Sequence, residues 1–516
     1  MAIPGMPGDA TTFPFRDSAV SAGPTHAGRR VAGRGEGELA LTGSGVRVGA
    51  LGLAVIVALS AFLVVLAADR PSILSATTHI GYFPHWMAGP LGGLAPGLPR
   101  GTTALKYMFT GAVVAMFVGY LVVLAKARRL PAPWVVGAIV AVHAIFFLSP
   151  PLALTDVFNY VNYGRMEVVH HLNPYTTIPI FEPHSDPSYA LSNWHELLSP
   201  YGPLFTLLTF AVVPLGVAAS FWALKAVLAL TSLATIALVW KCARLLGRDP
   251  LAAVVLVGLN PVVLVWGLGG DHNDFLMVFF IMLGFYLLLL ARARAEREPD
   301  ARLWAPLLGV GIALAIAVGV KASAAILVPI VLASLLRDGR LLMRAVLGLI
   351  VGGALVGAAS VLAFGLHIPD LSTQSKLVTS ESVPNLIGLA VGSGGESETL
   401  HKVMDAVLVV CVILCCWQAF SRRWPASDRM FTAAGWVSVA LLVTLSWVLP
   451  WYVLWALPLA ALSSSRRLRS VALLLSVYLI FAWAPASGLL WNAIDFHPET
   501  TPLGRLHHRY VKELLN

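Results

Sequence analysis

The chain has 516 residues, 58% of them hydrophobic and only 12% charged, with a mean hydropathy of +0.79. That balance excludes an ordinary water-soluble globular domain and identifies a polytopic, all-α integral membrane protein. The net charge of +9 does not point to nucleic acid, because Lys and Arg gather at the ends of apolar segments, as cytoplasmic loops beside anionic lipid do.

Residues 1–46 are rich in Gly, Pro, Ala and Arg and lack hydrophobic periodicity, which predicts a disordered cytoplasmic tail. It is too long and polar to be the n-region of a cleaved signal peptide, so the first span is expected to remain as an anchor. Apolar segments then recur near 49–67, 104–125, 132–150, 218–241, 251–268, 274–291, 304–322, 323–336, 343–366, 401–420, 430–450, 451–463 and 470–490. At roughly 20 apolar residues per crossing, this pattern predicts about 13 transmembrane helices.

Basic clusters at Lys126–Arg129, Lys241–Arg248, Arg292–Arg302, Arg337–Arg344, Arg422–Arg423 and Arg466–Arg469 set the orientation. By the positive-inside rule these face the cytoplasm, and the loops near 69–103, 151–200, 268–273 and 367–400 face outward. The stretch 204–215, broken by Pro214 and Gly216, reads as a re-entrant or surface-lying helix feeding one crossing, since two crossings would put Lys241–Arg248 outside. Cys242, Cys411, Cys415 and Cys416 lie in apolar segments without disulfide or zinc spacing, and neither metal nor cofactor is expected.

The outer loop at 151–200 opens with a helical pattern over Asp156–Leu172, read as an amphipathic interfacial helix that Asn173–Pro174 stops. Asp156 follows an apolar span directly, so its carboxylate sits at the outer membrane boundary. A base held there can meet a lipid-borne substrate. Outside the cell, without nucleotides, the simplest such chemistry transfers a sugar from a polyprenyl phosphate to an acceptor hydroxyl. A single inverting displacement needs one carboxylate to take the proton and cations to hold the phosphate, not the paired carboxylates of glycoside hydrolases. Asp156 or Thr155 equally fits a helix cap.

Within the same loop Arg165, His170 and His171 offer cationic contacts to a phosphate, or a solvated helix face. Ser199–Pro200–Tyr201–Gly202–Pro203 forms a rigid turn at the membrane entrance and brings Tyr201 to the candidate substrate site. GGDHND, from Gly269 to Asp274, then places Asp271, His272 and Asp274 together beside Asn273, either as part of an active site or as a solvated turn whose Asn273 or Asp274 caps the next span. Lys321 lies alone in an apolar stretch, at a cost on the order of 2.5–3.5 kcal/mol, so it either faces a wet interior and a lipid phosphate or snorkels to the surface. Trp451, Tyr452 and Trp455 fit an aromatic interface belt, with stacking on sugar or polyprenyl as the other reading.

The order TDVFNYVNYGR, LNPY, SPYGPLF, GGDHNDFLM, VKASAAILVPI and VLPWYVLWALP resembles the actinobacterial polyprenol-phosphomannose-dependent α-1,6-mannosyltransferases, within the C-type membrane glycosyltransferases. The resemblance covers most of residues 130–460. It implies a C-type bundle with interfacial helices in its outer loops, a polyprenyl-phosphate mannose donor, a lipid-linked glycan acceptor, and a site on the outer face of the plasma membrane. It maps the family's acidic base onto Asp156, with His272 and Asp271 or Asp274 shaping the site. Because the acidic loop follows the third apolar segment rather than the first, 47–130 becomes two extra N-terminal helices ahead of a catalytic core over 131–490, with 491–516 as a tail. The alternative function is a transporter or lipid flippase, which needs polar groups through the midplane rather than crowded at one face.

Overall fold

The computed structural model describes residues 34–68, 74, 83–95, 97, 101–152, 156–297, 304–421 and 425–515. The predicted tail therefore lies, up to residue 33, outside the described residues. The chain divides into two units at Ser44–Gly45, and the second, Gly45–Asn516, contains both sites discussed below.

Every regular element among the described residues is helical. The first half runs α1 (Arg34–Ala68), α2 (His85–Ala88), α3 (Thr102–Lys126), α4 (Ala132–Phe147), α5 (Asp156–His170), α6 (Pro203–Val212), α7 (Val217–Leu245), α8 (Pro250–Gly258), α9 (Asp274–Arg297) and α10 (Trp304–Val320). The second runs α11 (Leu327–Leu335), α12 (Gly339–Phe364), α13 (Leu371–Ser375), α14 (Val383–Ala390), α15 (Glu398–Phe420), α16 (Ala426–Thr444), α17 (Leu457–Leu462), α18 (Arg466–Trp483), α19 (Ser487–Ala493) and α20 (Pro502–Leu514).

Six helices are long and apolar enough to cross a membrane: Gly43–Ala68, Thr102–Arg129, Val217–Leu245, Asp274–Ala295, Gly339–Phe364 and Glu398–Phe420. α18 with α19, bent by 75°, makes a seventh if the pair is one span. The remaining apolar segments are shorter or interrupted, and the interruptions have a physical logic. A π-helical stretch over Val263–Leu268 and a 3-10 stretch over Pro450–Trp455 are buried throughout, and irregular backbone is tolerated at membrane depth only where protein encloses it.

Two local readings are refined by the coordinates. α6 ends in a 3-10 turn over Val213–Leu215, and Gly216, at φ 84°, hands the chain to the single 29-residue helix α7. α5 stops at His170, ahead of Asn173–Pro174: His171 takes the left-handed conformation (φ 55°) while Leu172 N–H donates back to Met166 O at 2.8 Å. α5 is also more enclosed than an interface helix, since Val157–Gly164 and Met166 are all buried.

Candidate active site

Two chain segments far apart in sequence are joined at the mouth of the bundle. The N–H of Leu152 donates to Gly269 O at 2.7 Å, which sets the approach to α5 beside the GGDHND turn. Asp156 is the first described residue of α5 and Asp274 the first of α9. Each carboxylate thus occupies the positive end of a helix dipole.

Between them stands His272. Its Nδ1 is 3.1 Å from Asp156 Oδ2, within ion-pair distance but not aligned for a hydrogen bond, and neither ring nitrogen has a hydrogen-bond partner among the described residues. The ring is stacked on Trp451, with centroids 3.3 Å apart and planes 7° apart. A glycine is required at Gly270, where a Cβ would run into Trp266 O and the His272 ring. His272 is buried, whereas the Asp156 side chain keeps 18% of its exposure.

The three acidic groups are not equivalent. Asp271, held at φ 59°, accepts from the Nζ of Lys225 through both oxygens at 2.9 Å, and both side chains are fully enclosed. Burial pushes the Asp271 carboxyl up, and Lys225 pulls it back toward the ionised form. Asp274 accepts from Lys321 Nζ at 3.0 and 2.9 Å, from Trp451 Nε1 at 3.0 Å and from Trp455 Nε1 at 2.6 Å. Its lone pairs are largely committed. Only Asp156 combines a free lone-pair set with access from outside.

Lys321 occupies the break after α10 and lies 4.8 Å from the Tyr452 ring centroid and 5.5 Å from that of Trp455. Its side chain is 20% exposed and its third ammonium hydrogen is not needed by Asp274. The turn through Tyr201 and Gly202 fixes this break, because Gly202 N–H donates to Val320 O at 3.2 Å and a Cβ on Gly202 would strike the Gly319 carbonyl. Tyr201 packs edge-on against Tyr160, with centroids 4.7 Å apart, and both phenols lie within the field of Asp156. Asn273 donates its backbone N–H to Tyr160 Oη at 3.3 Å, but both polar atoms of its side chain are buried without partners. Among the described residues its amide therefore does not cap α9, and it lies enclosed beneath the turn.

The remaining residues singled out from the sequence sit elsewhere. Arg165 and His170 clasp Asp186: the guanidinium donates to both carboxylate oxygens at 2.9–3.0 Å and His170 Nε2 lies 2.8 Å from Oδ2. Burial opposes ionisation of Asp186, but Arg165, Ser188 and His170 together hold its carboxyl well below the usual range. Neighbouring Glu182 behaves oppositely: burial and the Asp186 charge lift it to about 8, against the pull of Arg165. His171 is exposed. Trp451, Tyr452 and Trp455 are buried, so the belt reading gives way to an internal aromatic wall.

Two participants went unnoticed in the sequence. Lys225 is the one charged residue between Glu196 and Lys241, and the cost of an intramembrane charge that singled out Lys321 applies to it equally. Tyr160 carried no such signal, since a tyrosine at helical spacing is ordinary core. Among the described residues no group of three His, Cys, Asp or Glu side chains is placed to hold a metal ion.

Comparison with known proteins gives this geometry a context. Residues 46–337 match the family model described as α-(1→6)-mannopyranosyltransferase, N-terminal domain, and residues 379–496 match that of the MptB C-terminal domain. Among individual relatives, α-(1→6)-mannopyranosyltransferase A of Mycobacterium tuberculosis is 27% identical over 371 residues, covering 66% of this chain and 68% of that protein. The A enzyme of Corynebacterium glutamicum is 26% identical over 347 residues (59% of this chain, 66% of that protein), and its B enzyme 23% over 363 residues (66% and 59%). The alignments thus span about two thirds of each relative's length. No solved structure matches the chain. With one family model alone spanning more than half of its length, this membrane protein belongs to the α-(1→6)-mannopyranosyltransferase family of glycosyltransferases.

Proposed function

We propose that the protein transfers mannose from a polyprenyl-phosphate donor to a hydroxyl of a lipid-linked glycan at the outer face of the plasma membrane, with inversion in a single displacement. The observation that carries this reading is the unequal state of the three carboxylates around His272. Asp271 and Asp274 are neutralised by Lys225 and Lys321, while Asp156 is partly exposed and, among the described residues, has no lysine or arginine partner, the His272 imidazole standing beside it.

Asp156 takes the proton of the acceptor hydroxyl as its oxygen bonds to the anomeric carbon. The bond from that carbon to the phosphate oxygen breaks, and the polyprenyl phosphate leaves with the electron pair and one more negative charge than it had as a diester. Lys321 and His272, at the same mouth, offset that developing charge. Tyr201 and Tyr452 line the space where donor and acceptor meet, and the Trp451 ring fixes His272 from behind. Arg165 and His170 are engaged by Asp186 and are not assigned to the phosphate; their clasp shapes the loop over the site.

The polar groups crowd one end of the helices rather than threading them, which favours transfer over transport. This reading keeps about 13 crossings with the core over 131–490 in a C-type bundle, the short and interrupted helices serving as spans enclosed by protein, and the interfacial elements in the outer loops. The test is reconstitution of the full chain in liposomes with synthetic polyprenyl-phosphate mannose and an oligomannoside acceptor. A new α-1,6 bond formed only with donor in the outer leaflet supports the proposal. A retained anomeric configuration, or movement of the lipid without transfer, overturns it.

A further inference from the structure

Three of the basic turns expected at the cytoplasmic surface converge on one cavity. The turn after α3 brings Arg128, the turn after α7 brings Arg248, and the start of α18 brings Arg466 and Arg469, all lining a space of about 640 Å³. This cavity lies at the start of α8 and the end of α17, whereas the site around His272 lies beyond the other ends of those same two segments. It is a separate place in the molecule.

Among the described residues, two of its four guanidiniums are balanced by carboxylates and two are not. Asp249, the acid in the lining, accepts from Arg128 Nε at 3.1 Å and also caps α8 through Leu251 N–H and Ala252 N–H. Asp428 engages Arg248, and it is shared with the backbone N–H and hydroxyl of Ser464. Among the described residues Arg466 and Arg469 have no carboxylate partner, and one terminal nitrogen of Arg248, Nη1, is buried with no hydrogen bond. Arg469 also feels the positive charges of Arg248, Arg466 and Arg128.

Loop arginines that merely obey the positive-inside rule splay into water, where repulsion is screened, and Arg128 and Arg466 are exposed in that way. Arg248 and Arg469, beside them on the same hollow, are half-buried, and the donor of Arg248 left over inside makes this a site able to take an anion. Guanidinium forks match phosphate oxygens two at a time. The volume exceeds what a bare phosphate fills, and Leu124, Leu256 and Leu473 supply an apolar wall at the membrane boundary. Both features fit an ester with a hydrocarbon part.

We propose that this cavity binds the phosphate of an anionic membrane lipid, with Arg466 and Arg469 as its principal ligands and Arg248 Nη1 as a further donor. A lipid carrying its own headgroup cation is disfavoured there, because four arginines repel it. The site is independent of the transfer reaction and is read out by binding alone.

The experiment uses the purified full chain in detergent and follows thermal unfolding with added phosphatidylglycerol, phosphatidylcholine or inorganic phosphate at equal phosphate concentration. Phosphatidylglycerol is expected to raise the midpoint by a few degrees, phosphatidylcholine and inorganic phosphate by far less. In R466Q/R469Q protein that lipid-specific rise should vanish, while the lipid-free midpoint stays equal to or above that of the parent because mutual repulsion is relieved. An equal rise in the double variant, or none in the parent, overturns the proposal. An equal rise with inorganic phosphate overturns the assignment to a lipid. A lipid-free midpoint well below the parent's shows that the arginines are structural and overturns it as well.

Discussion

Lys225 Nζ sits 2.9 Å from both carboxylate oxygens of Asp271, deep inside the protein, and so anchors the turn that presents His272. The pair is stacked under an aromatic roof, with Nζ 5.3 Å from the Phe221 ring centroid and 5.9 Å from that of Trp222. Removing one partner leaves the other as an uncompensated buried charge, which costs about 3–5 kcal/mol. Lys225→Met and Asp271→Asn are therefore each expected to lower the unfolding midpoint sharply, whereas the double variant recovers much of the loss. A double-mutant cycle on thermal unfolding measures this; additive losses contradict a direct pair.

Gly270→Ala is expected to lower the unfolding midpoint and to lose transfer in the protein that still folds, because the added methyl meets the Trp266 carbonyl and displaces the His272 ring from its seat on Trp451. Gly97→Ala, in open space, is the control and should retain full activity. Comparable kcat/KM for the two variants would show that the ring's position does not matter.

The loop over 171–202 has a pH profile set by two of its carboxyls. Glu182 is lifted in the folded protein to about 8, above its ordinary 4.5, so its contribution to stability is complete below about pH 4.5 and is lost as pH rises through 8. Asp186 is depressed, so its contribution has the opposite sign: present above the ordinary carboxylate range and lost as pH falls through its lowered value. The loop should accordingly loosen from pH 5 to pH 8. Amide exchange across 173–201 checks this, and Glu182→Gln should flatten the slope; an unchanged slope in that variant places the titration elsewhere.

Trp455 donates to Asp274 Oδ1 at 2.6 Å. A hydrogen bond to a charged group contributes about 1.5–3 kcal/mol, so Trp455→Phe should weaken folding by that order while Lys321 still holds the carboxylate. Thermal unfolding of the variant reads the loss directly, and a neutral result would mean that the indole is not needed.

Much of the site was legible because the bilayer makes isolated polar groups costly. That single rule singled out Asp156, His272, Asp274 and Lys321 from an otherwise apolar chain, and the coordinates bring them to one mouth. Pairing was not legible. Nothing local in the sequence says that Asp271 closes on Lys225 rather than on His272, or that Arg165 turns to Asp186, because ion-pair partners are chosen by the packing of distant helices. Trp451 and Trp455 misled for a related reason: an aromatic at a segment end looks alike whether it faces headgroups or lines an interior wall. The apolar segments mark most helices correctly, but hydropathy alone does not reveal where buried backbone breaks, as over Val263–Leu268 and Pro450–Trp455. The terminal stretch taken as a tail instead contains α20, whose Leu514 packs with Leu197 and Leu377 and whose Tyr510 donates to Thr373 O at 3.2 Å.

The central claim is that Asp156, and not Asp271 or Asp274, takes the acceptor proton. Single-turnover mannosyl transfer from synthetic donor by Asp156→Asn protein, inserted and folded as the parent, tests it most directly. A fall in the chemical step of about 10²–10⁴-fold with donor binding preserved is the predicted result. Transfer at the parental rate would contradict the account and move the base to the GGDHND turn.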